Sequence, residues 1–329
     1  MSLDHFPRGV LVPVLTPFRA DLAIDEARFV AHCRWLRDEG ADGLAVFGTT
    51  SEANSLAVGE RITLLDRLLE AGIPPGMLMP GTGCCALPDT VALTRHAVTS
   101  GCFGVLLLPP FYYKAVTDDG IFASVAEVIA RVGDDRLRVY LYHIPGMAGV
   151  GFALPLIERL VAAFPGVVVG IKDSSGDWRN TQALLQRLPG FEVLPGSETY
   201  LLDALRQGGA GCISATANVN VRAIHALIEA WDTPAADAMQ QQLRAVRAAI
   251  EGYPLVAANK AILAAMHGDA EWRRVRPPLR PLAADATEKL FAALEALRFR
   301  PGSTGDCCEI KADIPGGTTE NVDFRRPLV

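Results

Sequence analysis

No apolar run in this chain approaches the roughly 18 residues that a membrane helix needs. The stretch at 10–15 is short and is broken by Pro13, so neither a span nor a secretory leader is expected. Basic residues are the minority: 31 Lys and Arg face 37 Asp and Glu, and no basic cluster is interleaved with aromatics. That balance lacks the footprint of a nucleic-acid binder, and no nucleic-acid partner is expected. Cysteine is sparse and unpatterned. The seven are Cys33, Cys84, Cys85, Cys102, Cys212, Cys307 and Cys308, an odd number without zinc-site spacing, so reduced thiols in a cytoplasm are expected. The six histidines include no pair at helical ligand spacing, so no metal centre is expected. Missing too is a Gly-x-Gly-x-x-Gly after the first apolar run, which removes the signal of a dinucleotide site.

What is present is apolar and periodic. Half of the 329 residues are hydrophobic and 21% are charged, enough for a large core. Length alone suggests two domains, but an α/β barrel commonly takes about 250 residues as one unit. Apolar or β-branched runs recur at 10–14, 43–47, 77–80, 104–108, 138–142, 167–171, 192–194 and 212–215. Segments of helical pattern lie between them, at 25–39, 58–71, 88–100, 119–132, 154–164, 178–188 and 199–207. Eight strands alternating with helices predict an α/β fold, a closed (β/α)8 TIM barrel over residues 1–221. Consecutive amphipathic helices at 222–231, 235–251, 255–267 and 283–297 then predict a C-terminal helical domain over 222–300. Gly, Pro, Thr and charge without periodicity predict a mobile tail over 301–329.

Chemistry in a barrel gathers where the strands end. The run Val167-Val168-Val169-Gly170-Ile171 closes in Lys172, followed by Asp173-Ser174-Ser175-Gly176. A lysine at the mouth of a buried strand, partly withdrawn from water, is the kind of amine that attacks a ketone to form a Schiff base. The ordinary alternative is a lysine snorkelling from a strand end.

Four other strand ends bear on that choice. Gly48-Thr49-Thr50-Ser51-Glu52 could present backbone N–H groups and hydroxyls to a carboxylate, or could be a capping box with Thr49 as N-cap and Glu52 at N3. Tyr140 and Tyr142 share one face of the fifth predicted strand, which would put the Tyr142 phenol at the rim one strand from Lys172, while His143 points the other way and reads as packing support. Pro109-Pro110-Phe111-Tyr112-Tyr113-Lys114 is a stiff aromatic loop suited to covering a pocket or a neighbouring subunit. Small residues from Gly211 to Asn218 leave room for a small ligand.

In the order Thr16-Pro17-Phe18, Gly48-Thr49-Thr50-Ser51-Glu52, Pro110-Phe111-Tyr112-Tyr113, Tyr142-His143-Ile144-Pro145, Gly170-Ile171-Lys172-Asp173 and Ile213-Ser214-Ala215-Thr216-Ala217-Asn218, the chain resembles the pyruvate-dependent class I aldolases that include dihydrodipicolinate synthase and N-acetylneuraminate lyase. The resemblance covers residues 9–297 and favours the Schiff-base reading of Lys172. It implies that Tyr142 is the acid/base and that Thr49 and Tyr112 complete a proton relay, Tyr112 reaching across from a neighbouring subunit. It further implies that the Thr49 and Thr50 backbone holds the substrate carboxylate and that Gly196 and Ile213 flank the ketone. No cofactor or metal is implied. The implied assembly is a homotetramer, a dimer of dimers.

Three departures accompany the likeness. Ser51 stands where the family has glycine, so it must take a backbone conformation that glycine supplies, or the turn differs. His143 replaces an asparagine. Met147 stands where dihydrodipicolinate synthases carry an arginine for the second substrate's carboxylate, and a thioether offers no bidentate donors. The expected function is a cytoplasmic lyase acting on pyruvate or a 2-keto-3-deoxy acid through a Lys172 enamine. The alternatives are a true synthase condensing pyruvate with aspartate semialdehyde through a displaced arginine, a metal-dependent barrel enzyme, and a keto-acid-binding barrel without turnover.

Overall fold

Short buried strands alternating with amphipathic helices are most simply satisfied by a ring of parallel strands in a helical sheath. The computed structural model, which describes residues 9–300, has that form. The tail expected at 301–329, with Cys307 and Cys308, lies outside the described residues. Strands β1 (Gly9–Val12), β2 (Gly43–Leu44), β3 (Val105–Leu107), β4 (Val139–His143), β5 (Val168–Asp173), β6 (Glu192–Pro195) and β7 (Gly211–Ile213) pair in parallel as two ladders, β2-β1-β7 and β3-β4-β5-β6.

The strand expected at 77–80 forms no continuous ladder. Pro75–Met77 is a 3-10 turn, and Pro80 has no N–H to donate. Residues 78–82 instead join the two ladders. The Met79 and Gly81 amides donate to the Leu44 and Val46 carbonyls at 3.0 and 2.7 Å, while Leu106 N–H donates to the Pro80 carbonyl and Thr82 N–H to the Leu106 carbonyl, both at 3.0 Å. On the far side, Ala210 N–H donates to the Val193 carbonyl at 3.0 Å, closing the ring between β6 and β7. The expected run 43–47 keeps strand pairing only at Gly43–Leu44, and Phe47 turns the chain with a left-handed φ of 60°.

The sheath contains α1 (Glu26–Asp38), α2 (Val58–Glu70), α3 (Leu87–Thr99), α4 (Asp118–Val132), the single turn α5 (Pro145–Ala148), α6 (Leu154–Ala163), α7 (Trp178–Arg187), α8 (Leu201–Arg206) and α9 (Ala217–Glu229). Helix α4 shows why such segments are helical. The Thr117 side chain accepts from Gly120 N–H, Asp118 and Asp119 lie in the positively polarised first turn, and left-handed Gly133 ends the helix. Its buried Ile121, Val125, Val128 and Val132 form one stripe against the barrel, each stabilising the fold by about 1.5–3 kcal/mol. Helices α10 (Ala236–Glu251), α11 (Leu255–Met266) and α12 (Ala284–Ala296) make the C-terminal extension, packed through Val246, Ile262, Leu263 and Leu290 onto Leu15 and Val219.

The lumen is filled rather than open. Leu11, Ala45, Met79, Leu106, Tyr140, Leu194 and Ile213 form its buried layer. Tyr140 fits because a Cβ at Gly170 would stand 2.5 Å from its ring and one at Gly104 2.9 Å. Above this plug the strand ends open into a cavity.

Candidate active site

Parallel pairing of β4 with β5 sets the central contact, because the register aligns Tyr142 with Lys172 on adjacent strands. Both side chains rise from the lumen face one layer above Tyr140. Lys172 is only 3% exposed, and its Nζ lies 4.2 Å from the centre of the Tyr142 ring. It makes no hydrogen bond or ion pair with the described residues. The Tyr142 hydroxyl is 3.2 Å from Thr49 Oγ1, so the β2 turn and the β4 end meet over the same lysine. A cavity of about 900 Å³ opens there, lined by Thr49, Thr50, Tyr142, Lys172 and Gly196 among others.

The strand ends are fixed by local hydrogen bonding. Asp173, next to Lys172, points away from the lumen, and its carboxylate accepts from Ser175 N–H at 3.0 Å, Asn180 Nδ2 at 3.0 Å and Thr181 Oγ1 at 2.7 Å. These bonds tie the end of β5 to α7. His143 also faces outward, and its Nδ1 accepts from Phe152 N–H at 2.9 Å. Burial lowers its pKa, with Asp173 pulling the other way, so neutral imidazole is the form that accepts this bond. Gly196 follows β6 with no room for a side chain, since a Cβ would stand 2.0 Å from Ser174 Oγ.

The β2 turn is not a capping box. Glu52 has a left-handed φ of 58°, and its carboxylate turns away from Thr49 to Lys260 at 2.5 Å and the Arg276 N–H at 3.0 Å. Of the two alternatives for Ser51 the second holds: the turn differs, and Ser51 does not take up a left-handed conformation. The two non-glycine residues flanking the turn, Phe47 and Glu52, do so instead. Such backbones cost on the order of 1–3 kcal/mol each and persist only where the surroundings over-determine them. Here Ser51 Oγ accepts from Gly48 N–H at 3.3 Å and Thr16 Oγ1 donates to the Ser51 carbonyl at 2.7 Å.

Two candidates stand apart from this cluster. Tyr112 is 74% exposed, its ring 5.4 Å from that of Tyr113, and within one chain it does not join the Thr49–Tyr142 contact. The Ile213 side chain is buried in the lumen layer beside Leu11 and Tyr140 and does not line the cavity. Met147, 70% exposed on α5, stands at the rim.

The sequence reading missed what the C-terminal extension contributes. Arg247, Glu251, Tyr253 and Arg280 line the cavity wall opposite the strand ends. Arg247 bonds Glu251 at 2.8 Å and lies 3.6 Å from buried Glu198, so two acids already share its charge. Arg280 makes no hydrogen bond or ion pair with the described residues. Amphipathic helices carry no long-range signal that would place such groups over a strand end. A lone lysine in the apolar α11 sequence LVAANKAILAAM was a signal that could have been read.

Comparison with known proteins agrees with this fold. The profile of the Dihydrodipicolinate synthetase family matches residues 6–297. An uncharacterized DapA-like lyase of Chloroflexus aurantiacus is 35% identical over 303 residues, covering 91% of this chain and 99% of that protein. The crystal structure of dihydrodipicolinate synthase from Agrobacterium tumefaciens superposes with a TM-score of 0.81 at 32% identity, covering 88% of this chain and 99% of the other. YagE, a protein of the dihydrodipicolinic acid synthase family from E. coli K12 solved in complex with pyruvate, superposes with a TM-score of 0.81 at 26% identity, covering 89% and 99%.

Proposed function

This chain belongs to the dihydrodipicolinate synthetase family and is a lyase of that family, and from that premise we propose that it acts on pyruvate or a 2-keto-3-deoxy acid through a Schiff base on Lys172. The observation that carries the proposal is the Lys172 amine, unpaired among the described residues and beside Tyr142, whose hydroxyl is 3.2 Å from Thr49. The Lys172 lone pair adds to the ketone carbon while Tyr142 gives a proton to the carbonyl oxygen. Tyr142 takes a proton from the new ammonium and returns it to the carbinolamine hydroxyl, which leaves as water. The protonated imine is the electron sink. Tyr142, left as the phenolate, takes a C3 proton to give the enamine, whose carbon attacks an aldehyde while Tyr142 returns that proton to the new alkoxide. In the cleavage direction the Tyr142 phenolate takes the C4 hydroxyl proton, the same imine accepts the electrons of the breaking C3–C4 bond, and Tyr142 protonates the enamine at C3 before water hydrolyses the imine.

Thr49 Oγ1 relays protons to Tyr142, and the Thr49 and Thr50 amides hold the carboxylate. Gly196 leaves space beside the ketone, and Ile213 supports the site from the lumen below. Tyr112 completes the relay from a neighbouring subunit of a cytoplasmic homotetramer, a role that fits a long aromatic side chain exposed on its own chain. Pyruvate in YagE supports the choice of keto acid.

The test is reductive trapping. Pyruvate and borohydride should add a reduced pyruvyl group to the intact protein, seen by mass, and Lys172→Ala should not gain it. No adduct on the natural protein, or one that persists in the variant, overturns the assignment.

One observation favours a second reading, condensation of pyruvate with aspartate semialdehyde. Arg280 has no partner among the described residues and lines the same cavity, so it could bind the carboxylate that Met147 cannot. A direct assay with aspartate semialdehyde decides. Turnover that Arg280→Ala loses through a raised KM supports it, and no condensation rejects it.

A further inference from the structure

The turn that carries Thr49 and Thr50 is held from outside the barrel. Glu52, three residues beyond Thr49, sends its carboxylate into a fully buried pocket beneath the C-terminal extension. There its Oε1 accepts from Lys260 Nζ of α11 at 2.5 Å, with both side chains wholly out of water. Its Oε2 accepts from the Arg276 N–H at 3.0 Å. Lys260 also donates to the Arg274 carbonyl at 2.6 Å, and its Nζ lies 4.6 Å from the centre of the Phe18 ring. The Arg276 guanidinium covers the same ring at 4.8 Å and pairs with Glu60 at 2.6 Å. Among the described residues Glu52 therefore bonds one ammonium and one backbone amide, with the Arg276 guanidinium close by on the Phe18 ring.

Those contacts impose a backbone that the local sequence does not favour. A glutamate at φ 58° is uncommon, and it lies one residue past Ser51 and two past Thr50. A buried carboxylate that has lost water and gained a fixed ammonium supplies the restraint that keeps it there. The strain then reaches Thr49 directly, because Glu52 N–H donates to the Thr49 carbonyl at 3.1 Å and closes the turn. Thr16 restrains the same turn from the β1 side through the Ser51 carbonyl.

We infer that Lys260 is a positioning residue for the substrate carboxylate, its buried pair with Glu52 clamping the Thr49–Thr50 turn so that the amides face the ketone site. This inference rests on the carboxylate role given above to that turn. It makes the C-terminal extension a working part of the site and not only a cover, since α11 supplies the clamp. Lys260 touches no substrate and no cavity-lining atom is asked of it; its effect passes through Glu52.

A carboxylate-specific readout separates this role from simple stabilisation. Cyanoborohydride trapping is run on the full-length chain with pyruvate and with acetone, which has the ketone but no carboxylate. A displaced turn penalises pyruvate selectively, whereas loss of folded protein or of amine reactivity penalises both ketones together. In Lys260→Met the ratio of pyruvate to acetone trapping rates should fall about tenfold or more, given how steeply misplacement of a positioning group by about 1 Å is felt. The Glu52→Gln/Lys260→Met variant leaves no unpaired buried charge and serves if the single variant does not fold; it should show the same fall. An unchanged ratio in a folded variant overturns the inference while leaving the Lys172 chemistry intact. Loss of fold in both variants overturns it as well, leaving the pair a structural one. A natural protein that traps neither ketone overturns the Lys172 reading and this inference with it.

Discussion

Lys172 and Lys260 are almost equally hidden from water, at 3% and 0% exposure, yet their surroundings are opposed. Lys172 ends a barrel strand, faces a cavity of about 900 Å³, and has an aromatic ring for its nearest charge-sensitive neighbour. Lys260 sits in a helix, does not line that cavity, and is bonded to a carboxylate and a carbonyl. Burial lowers the Lys260 pKa to about 8, against the opposing pull of Glu52. The difference lies in partners and not in depth. An amine held by a fixed carboxylate and a fixed carbonyl holds structure together, while one whose open side meets a cavity can take a ligand as its partner.

Removing each amine in turn is the sharpest way to break that comparison. Lys172→Met should abolish turnover, a loss of about 10⁴-fold or more, and leave stability nearly unchanged, since Lys172 has no ion pair among the described residues to break. A variant that keeps its rate, or that unfolds, would place Lys172 in the structural class. Next in size is the pair of tyrosines on β4. Tyr142→Phe should cost about 10²–10⁴-fold in kcat by removing the proton donor. Tyr140→Phe, one layer below, should leave kcat within a few-fold. Its phenol donates to Glu192 at 2.5 Å, and burial raises its pKa, with the Glu192 charge adding to the effect. It is the neutral donor there, and its loss should appear as about 1–3 kcal/mol in urea unfolding. Equal rates for the two variants would contradict the assignment of Tyr142. For Lys260→Met the main readout is stability, a fall of about 3–5 kcal/mol from an uncompensated Glu52, most of it regained in Glu52→Leu/Lys260→Met. Unfolding curves that coincide with the natural protein's would show that the pair stores nothing.

How far the sequence disclosed this arrangement depends on the range of each signal. Lys172 and Tyr142 were legible because a period of two along each strand and the order of strands place them together without further information. The (β/α)8 ring was legible for the same reason, although the run at 77–80 proved to be a set of bridging bonds around Pro80 and not a ladder. The local sequence left Glu52 open because Thr49-x-x-Glu52 is also the spacing of a capping box. Its true partner is 208 residues away, a distance over which no local rule operates. The cavity wall at Arg247 and Arg280 was hidden for that reason too. The sequence left two alternatives for the missing glycine, strain at Ser51 or a different turn, and the backbone takes the second, with left-handed residues at Phe47 and Glu52, where side-chain packing and pairing can restrain them.

A third buried base extends the contrast between the lysines to a group that is neither acid-paired nor open to a cavity. His32, on α1, packs against Trp272 with ring centres 4.9 Å apart, and its Nε2 is 3.1 Å from Asn218 Oδ1. The Asn218 amide nitrogen donates to the Pro13 and Ala215 carbonyls, so its oxygen faces His32 and Nε2 must carry the hydrogen. Nδ1 is then a bare acceptor with no partner among the described residues. Burial lowers the His32 pKa to about 3, the bond to Asn218 resisting and His267 adding to the drop. Between pH 6.5 and about 3 the unfolded chain therefore binds one more proton here than the folded chain. Stability is fully present above pH 6.5 and falls on acidification through that window by about 1.4 kcal/mol per pH unit from this residue. His32→Gln keeps an amide that can donate to Asn218 and cannot titrate. Urea unfolding of both proteins at pH 7 and pH 5 should show the variant losing about 2 kcal/mol less than the natural protein between the two conditions. Equal losses would mean that the ring protonates in the folded state, and that a buried base without an acid or a cavity is not held neutral by its surroundings.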